Sequence, residues 1–197
     1  MKLLYAGPSP YSAKVRLAAR CVGIALDEAT VATADEPAAL VAANPLGKIP
    51  TLVLDDGTGL YDSRSIMREL DRRAPGALYP SDREAARATD RREALGDGLC
   101  DAMLAIVYDR RMRPEEKQHA PYQDAQWRKV ARALDALEAE PPDPDARDAG
   151  TIALAAALAY ADLRHAERDW RRGRPRLAAF LETFAGGVPD WQALRPH

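Results

Sequence analysis

The chain has 197 residues, 47% of them hydrophobic and 29% charged, which is enough to bury a sizeable core without disulfides or metals. With 28 Lys and Arg against 30 Asp and Glu the net charge is -2, so neither nucleic acid nor an anionic membrane surface is indicated as a partner. Two distant cysteines and three scattered histidines supply neither a disulfide framework nor a metal site. No apolar window approaches the ~20 residues of a membrane span, and the run before Gly7-Pro8 is too short for a secretory signal, so a reducing cytoplasm is the expected location.

Residues 2–6 read as a strand broken by Gly7-Pro8. Ser9 then precedes Pro10 as a cap, and Val15, Leu17, Ala18 and Val22 give a helical apolar face that Gly23 stops. A second strand is expected over 27–32 and a short helix over 37–43. An apolar strand at Thr51–Leu54 ends in the turn signal Asp55-Asp56-Gly57, and Leu60-Tyr61 completes a hairpin. Ile66, Met67 and Leu70 fit one face of a helix ending near Pro75-Gly76. The order β-α-β-α-β-β-α is that of the thioredoxin fold, with one parallel pair and an added antiparallel hairpin.

No strand is expected beyond Pro80. Ser81–Arg113 reads as one long helix, with Leu95, Leu99, Met103, Ile106 and Val107 opposite a charged side. Pro114 and Pro121 bracket a break, and a helix over 122–140 carries Trp127, Val130, Leu134 and Leu137. Residues 151–164 are apolar almost all round, so that helix belongs at the centre of a second unit. Pro175–Phe184 is a last helix, and the tail 189–197 is expected to fold back on the surface. The expected domains are 1–76 and 82–197, joined by a linker at 77–81.

Three local motifs carry the chemistry. Asn44-Pro45-Leu46-Gly47-Lys48-Ile49-Pro50 is a loop running straight into a strand. Asp62-Ser63 is an acid and a hydroxyl at a helix start. Ser9-Pro10-Tyr11-Ser12 opens the first helix. Each also has a plain structural reading. Pro50 fits a strand start, Ser63 fits a helix cap, and Ser9 fits another. Helix starts nonetheless favour carboxylates and thiolates, because their N–H groups lack partners.

In combination and spacing these motifs resemble the soluble glutathione transferases of bacteria. The resemblance is strong over 44–70, good over 1–20 and 150–185, and weak over 81–145. It implies a thioredoxin-like α/β domain that binds glutathione, followed by an all-α helical bundle domain that holds a hydrophobic electrophile. It further implies a cis Ile49–Pro50 bond, with the Ile49 main chain pairing with the cysteinyl backbone of glutathione. Asp62 and Ser63 would hold the γ-glutamyl end, and Lys48 lies within reach of the glycyl carboxylate. Ser9 would donate a hydrogen bond to the glutathione sulfur and favour the thiolate. Tyr5 is the rival for that role, and Tyr11 a weaker one.

Related redox proteins have Cys-Pro-Tyr-Cys where this chain has Ser9-Pro10-Tyr11-Ser12, so no thiol remains for disulfide exchange. Tyr11 and Tyr108 are candidates for the electrophile pocket, with Met103, Ile106, Val107, Arg110 and Arg111 as further possibilities on the long helix. Asp148 and Thr151 form a reversed capping pair before the buried helix. The resemblance implies glutathione as co-substrate, no permanently bound cofactor, no metal, and a homodimer, with apolar residues over 63–70 and 85–107 facing either that interface or the core. The alternatives are another glutathione-dependent reaction on this scaffold (isomerisation, dehalogenation or ether cleavage), or a non-catalytic glutathione-binding protein.

Overall fold

In the computed structural model, which describes residues 1–197, a four-stranded sheet is built from β1 (Lys2–Tyr5), β2 (Asp27–Thr30), β3 (Thr51–Val53) and β4 (Gly59–Leu60). The spatial order is β2-β1-β3-β4, with β1 parallel to β2 and antiparallel to β3, and β4 antiparallel to β3. Helices α1 (Pro10–Cys21), α2 (Ala38–Ala43) and α3 (Ser63–Arg73) complete this thioredoxin-like half. Ser9 caps α1 by accepting the Ser12 N–H at 3.2 Å, and Pro10 takes the first helical position, where a missing N–H costs nothing. Gly23, at φ +71°, ends α1 and lets the Ile24 N–H turn back to the Ala19 carbonyl at 2.9 Å.

The second half is all helical: α4 (Arg83–Met112), α5 (Ala120–Ala139), α6 (Ala149–Arg164), α7 (Pro175–Gly186) and the single turn α8 (Trp191–Leu194). Its α5 begins at Ala120, with Pro121 inside the first turn rather than in the preceding break. Residues Ala149 to Ala161 of α6 are all buried, as its uniformly apolar sequence requires. This helix packs on both α4 and α1, so it joins the two halves. The approach to α4 is close: a Cβ on Gly96 would lie 2.8 Å from the Ala153 carbonyl carbon. Asp148 caps α6 by accepting the Thr151 N–H at 2.8 Å, and the Thr151 hydroxyl reaches back to the Asp148 carbonyl, so the reversed pair works as a local cap. The tail folds back as expected, but it does more than cover the surface. Trp191 and Leu194 are buried, and Arg16 of α1 donates to the Ala193 carbonyl at 2.8 Å.

Two points that the sequence leaves open are decided by the packing. The apolar residues of α3 (Ile66, Met67 and Leu70) are fully buried within the single chain, because α3 packs on the sheet and α1. They are therefore core and leave no apolar stripe for a partner. On α4 the polar side is only partly solvated, since Glu93, Asp97 and Asp109 are buried. Glu93 and Asp97 are paired with residues of the first half, a contact that α4 alone could not reveal.

Candidate functional site

The strand register gathers the three motifs at one end of the sheet. Leu4 of β1 pairs with Thr51, so the end of β1 meets the start of β3. Leu52 pairs with Leu60, so the end of β4 arrives at that same place. Ser9 follows β1 through a turn in which its N–H donates to Ala6, Ile49-Pro50 leads into β3, and Asp62-Ser63 follows β4. Both α1 and α3 thus begin at this end, and their unpaired N–H groups face the same region.

Asn44 builds the loop before β3. It is 1% exposed, donates from Nδ2 to the Lys48 carbonyl (2.9 Å) and Thr51 Oγ1 (3.1 Å), and accepts the Leu46 N–H at 3.0 Å. Gly47 supplies a φ of +60° that this tight loop requires. The Ile49–Pro50 bond is cis, as the resemblance implied, and Pro50 is buried. The Ile49 N–H and C=O make no hydrogen bond within the chain, so both remain available to a ligand. Lys48 is exposed and forms no ion pair, while its carbonyl is occupied by Asn44 and Thr51.

At α3 the cap is Asp62, which accepts the Arg64 N–H at 3.0 Å, and Ser63 is the first helical residue. This corrects the reading of Ser63 as cap. The Tyr61–Asp62 bond is also cis. With the cap supplied by Asp62, the Ser63 hydroxyl has no internal partner, and the N–H groups of Ser63 and Ser65 are unspent. At α1 the Ser9 oxygen accepts from Ser12, which leaves its own O–H free to donate. The Tyr11 N–H beside it is also unspent. Ser12 is fully buried with an unpartnered hydroxyl, turned away from solvent.

Of the two rivals to Ser9, Tyr5 has its ring covered and Tyr11 has its hydroxyl engaged. The Arg16 guanidinium lies 4.5 Å from the Tyr5 ring centroid and is itself paired with Glu28. The Tyr11 hydroxyl donates to Asp101 of α4, and burial, followed by that bond, pushes its ionisation far above the usual range. Neither cysteine offers a thiolate, because burial raises the thiols of both Cys21 and Cys100. No group of three or more His, Cys, Asp or Glu is arranged to hold a metal ion, and no helix is long and apolar enough to cross a membrane.

Behind the site the two halves are joined by ions that sequence reasoning missed. Lys14, 1% exposed, lies 2.8 Å and 3.0 Å from the two Asp97 oxygens and 3.3 Å from Glu93. Arg64, next to Ser63, donates to Asp97 at 2.8 Å, and the Tyr79 hydroxyl donates to Glu93 at 2.8 Å. The bond to Asp97 raises the Arg64 pKa. A signal existed: Glu93, Asp97 and Asp101 recur every fourth residue on one face of α4. Of the electrophile candidates, Met103 and Ile106 are core, Val107 is half-buried, and Arg110 is tied to Gln123 and Glu167. Tyr108 is 48% exposed and lies apart from the three motifs, two turns along α4 from Asp101.

Two family models, a curated relative and several solved structures match the chain. The family model for the glutathione S-transferase N-terminal domain matches residues 8–73, and that for the C-terminal domain matches 108–183. The chain is 32% identical over 190 residues to the Uncharacterized GST-like protein YibF of Escherichia coli, covering 93% of each. It is 37% identical to a glutathione S-transferase of Methylobacillus flagellatus solved with glutathione bound, covering 100% of this chain and 99% of that one with a TM-score of 0.91. A glutathione transferase family member of Pseudomonas fluorescens, also with bound glutathione, is 36% identical over 100% of this chain and 98% of that one, with a TM-score of 0.89.

Proposed function

The chain belongs to the glutathione S-transferase family, and from that premise we propose that it joins the glutathione thiolate to a hydrophobic electrophile. What carries this reading is the convergence of Ser9, Ile49-Pro50 and Asp62-Ser63 at one end of the sheet, each with unspent hydrogen-bonding groups. In the proposed division of labour, residues 1–76 hold glutathione, 77–81 link, and 82–197 supply the second pocket.

Asp62 takes the γ-glutamyl ammonium. The Ser63 hydroxyl and the free N–H groups of α3 take the adjoining carboxylate. The Ile49 main chain pairs with the cysteinyl unit as an added strand would, and Lys48 meets the glycyl carboxylate. Ser9 donates its O–H to the sulfur at the start of α1, where the unspent Tyr11 N–H adds to the field. Both favour thiolate over thiol. The thiol proton leaves to solvent, sulfur forms a bond to an electrophilic carbon, and the leaving group departs with its electron pair. Serine is never the nucleophile. The protein works as a cytoplasmic homodimer in this proposal, and it is a poor disulfide reductase because it has no thiolate of its own.

Titration calorimetry of glutathione into wild type and Asp62→Ala tests the binding half. Wild type is expected to bind, and the variant to bind at least about tenfold more weakly as one charge-assisted contact is lost. Wild type that gives no heat with glutathione would refute the reading.

A further inference from the structure

Beyond the glutathione end of the molecule, α4 carries a second feature. The chain exposes five large hydrophobic side chains, and three of them (Tyr108 at 48%, Met112 at 68% and Tyr122 at 39%) surround one cleft between the end of α4 and the start of α5. Asp109, Arg113 and His119 complete its polar rim, and at about 580 Å³ it has the size of a small-molecule site. Isolated exposed hydrophobics are ordinary, but two tyrosines and a methionine facing one hollow are not.

The cleft lies along the same side of α4 as the contacts behind the proposed chemistry. Asp97, Asp101, Ala105, Tyr108 and Met112 succeed one another at steps of three or four, so they share one side of α4. Asp97 touches Lys14 and Arg64, and Asp101 touches Tyr11, two residues beyond Ser9. Ala105, the next step, already lines the cleft. At about 1.5 Å per residue, Tyr108 lies roughly 10 Å along the helix from Asp101, the length of one substituted ring.

The unspent charged group at this cleft is a donor, not an acceptor. The cleft's sole carboxylate, Asp109, is spent. It accepts from Gln123 Nε2 at 2.8 Å and from the His119 N–H at 3.0 Å, and it pairs with Arg113 at 3.1 Å. Those partners, Gln123 foremost, hold its carboxyl below the usual range. Arg113 approaches that carboxylate through Nε. Its side chain is 59% exposed, and the two terminal nitrogens of its fork make no hydrogen bond within the chain. The His119 ring likewise makes no hydrogen bond within the chain.

We infer that this cleft selects an aromatic compound carrying an anionic group, with the ring against Tyr108, Met112 and Tyr122 and the anion at Arg113. The inference rests on the transferase reading for the role of that compound as second substrate, but not for its binding. Aromatic and thioether side chains suit a flat ring, and a guanidinium fork suits a carboxylate or sulfonate.

The test is calorimetry with a matched unreactive pair, 3-nitrobenzoate and 3-nitrobenzamide, titrated into the full chain with and without glutathione. Wild type is expected to bind the benzoate about tenfold more tightly than the amide, the worth of one charge-assisted contact. Arg113→Gln should bring that ratio close to one with little change for the amide, and Arg113→Lys should restore part of it. Tyr108→Ala should weaken both ligands alike. Equal affinities in wild type, a preference that survives in Arg113→Gln, or no binding of either ligand overturns the inference. Glutathione binding without the preference contradicts this inference alone. The preference without glutathione binding contradicts only the proposed function.

Discussion

Replacing Lys14 by Met removes a charge from the interior while keeping most of the side chain's volume. The ammonium contacts both oxygens of Asp97 and one of Glu93, and all three side chains are 7% exposed or less. In Lys14→Met, Asp97 keeps only Arg64 and Glu93 keeps only the Tyr79 hydroxyl. Breaking a buried pair by removing one partner costs about 3–5 kcal/mol, because the remaining charge stays buried without compensation. The two residual donors place this case at the lower end, about 3 kcal/mol. For a chain of this size that corresponds to a fall in melting temperature of roughly 6–12 °C. Urea unfolding followed by circular dichroism measures the loss directly. The triple variant Lys14→Met, Glu93→Gln, Asp97→Asn removes both stranded charges and should recover at least half of it. A loss below about 1 kcal/mol in the single variant, within the range of an exposed pair, would refute the reasoning. So would a triple variant no more stable than the single one.

Other expected outcomes follow from the same kind of argument. His165 is fully buried, its Nε2 is 3.2 Å from the Met103 carbonyl and its Nδ1 has no partner, so burial holds its pKa below the ordinary value. Its neutral form therefore contributes stability that is fully present above the unfolded pKa of about 6.5 and is lost as pH falls through the folded value. Unfolding measured at pH 7.5 and again below 6 should show that loss in wild type, and His165→Phe should show a smaller difference. Gly96→Ala places a methyl against the Ala153 backbone with no flexible side chain to yield, and should cost about 1–3 kcal/mol in thermal melts. A neutral outcome at Gly96 would mean that α4 and α6 slide apart without penalty.

The elements with strong local signals were legible in the sequence. Ser9-Pro10, the turn at Asp55-Asp56-Gly57 and the apolar run of α6 each fix an element within a few residues, and the structure has all three. The cis Pro50 was legible only through the resemblance, since nothing in an isolated Ile-Pro pair distinguishes the two isomers. At Asp62-Ser63 either residue could supply the cap, and the difference of one position changes the argument: with Asp62 as cap, the Ser63 hydroxyl is left free. The Lys14 cluster was not legible, because its partners lie 79 and 83 residues away and charged residues on a helix read as solvated until the facing helix is known. Tyr108 stands out on the long helix in the sequence, but its companions Met112 and Tyr122 come from two helices across a break. Only the fold places them around one cleft.

The central claim is that Ser9 activates a thiol it does not itself supply. Its most direct test compares wild type and Ser9→Ala in two assays: glutathione binding by calorimetry, and conjugation of 1-chloro-2,4-dinitrobenzene. The account predicts turnover by wild type, and a variant that still binds glutathione but conjugates about a hundredfold more slowly, the usual effect of removing one preorganised donor. The pKa of the bound thiol, read from its thiolate absorbance, should rise in the variant. If Ser9→Ala binds glutathione, leaves the thiol pKa unchanged and retains the wild-type rate, Ser9 is a helix cap and nothing more.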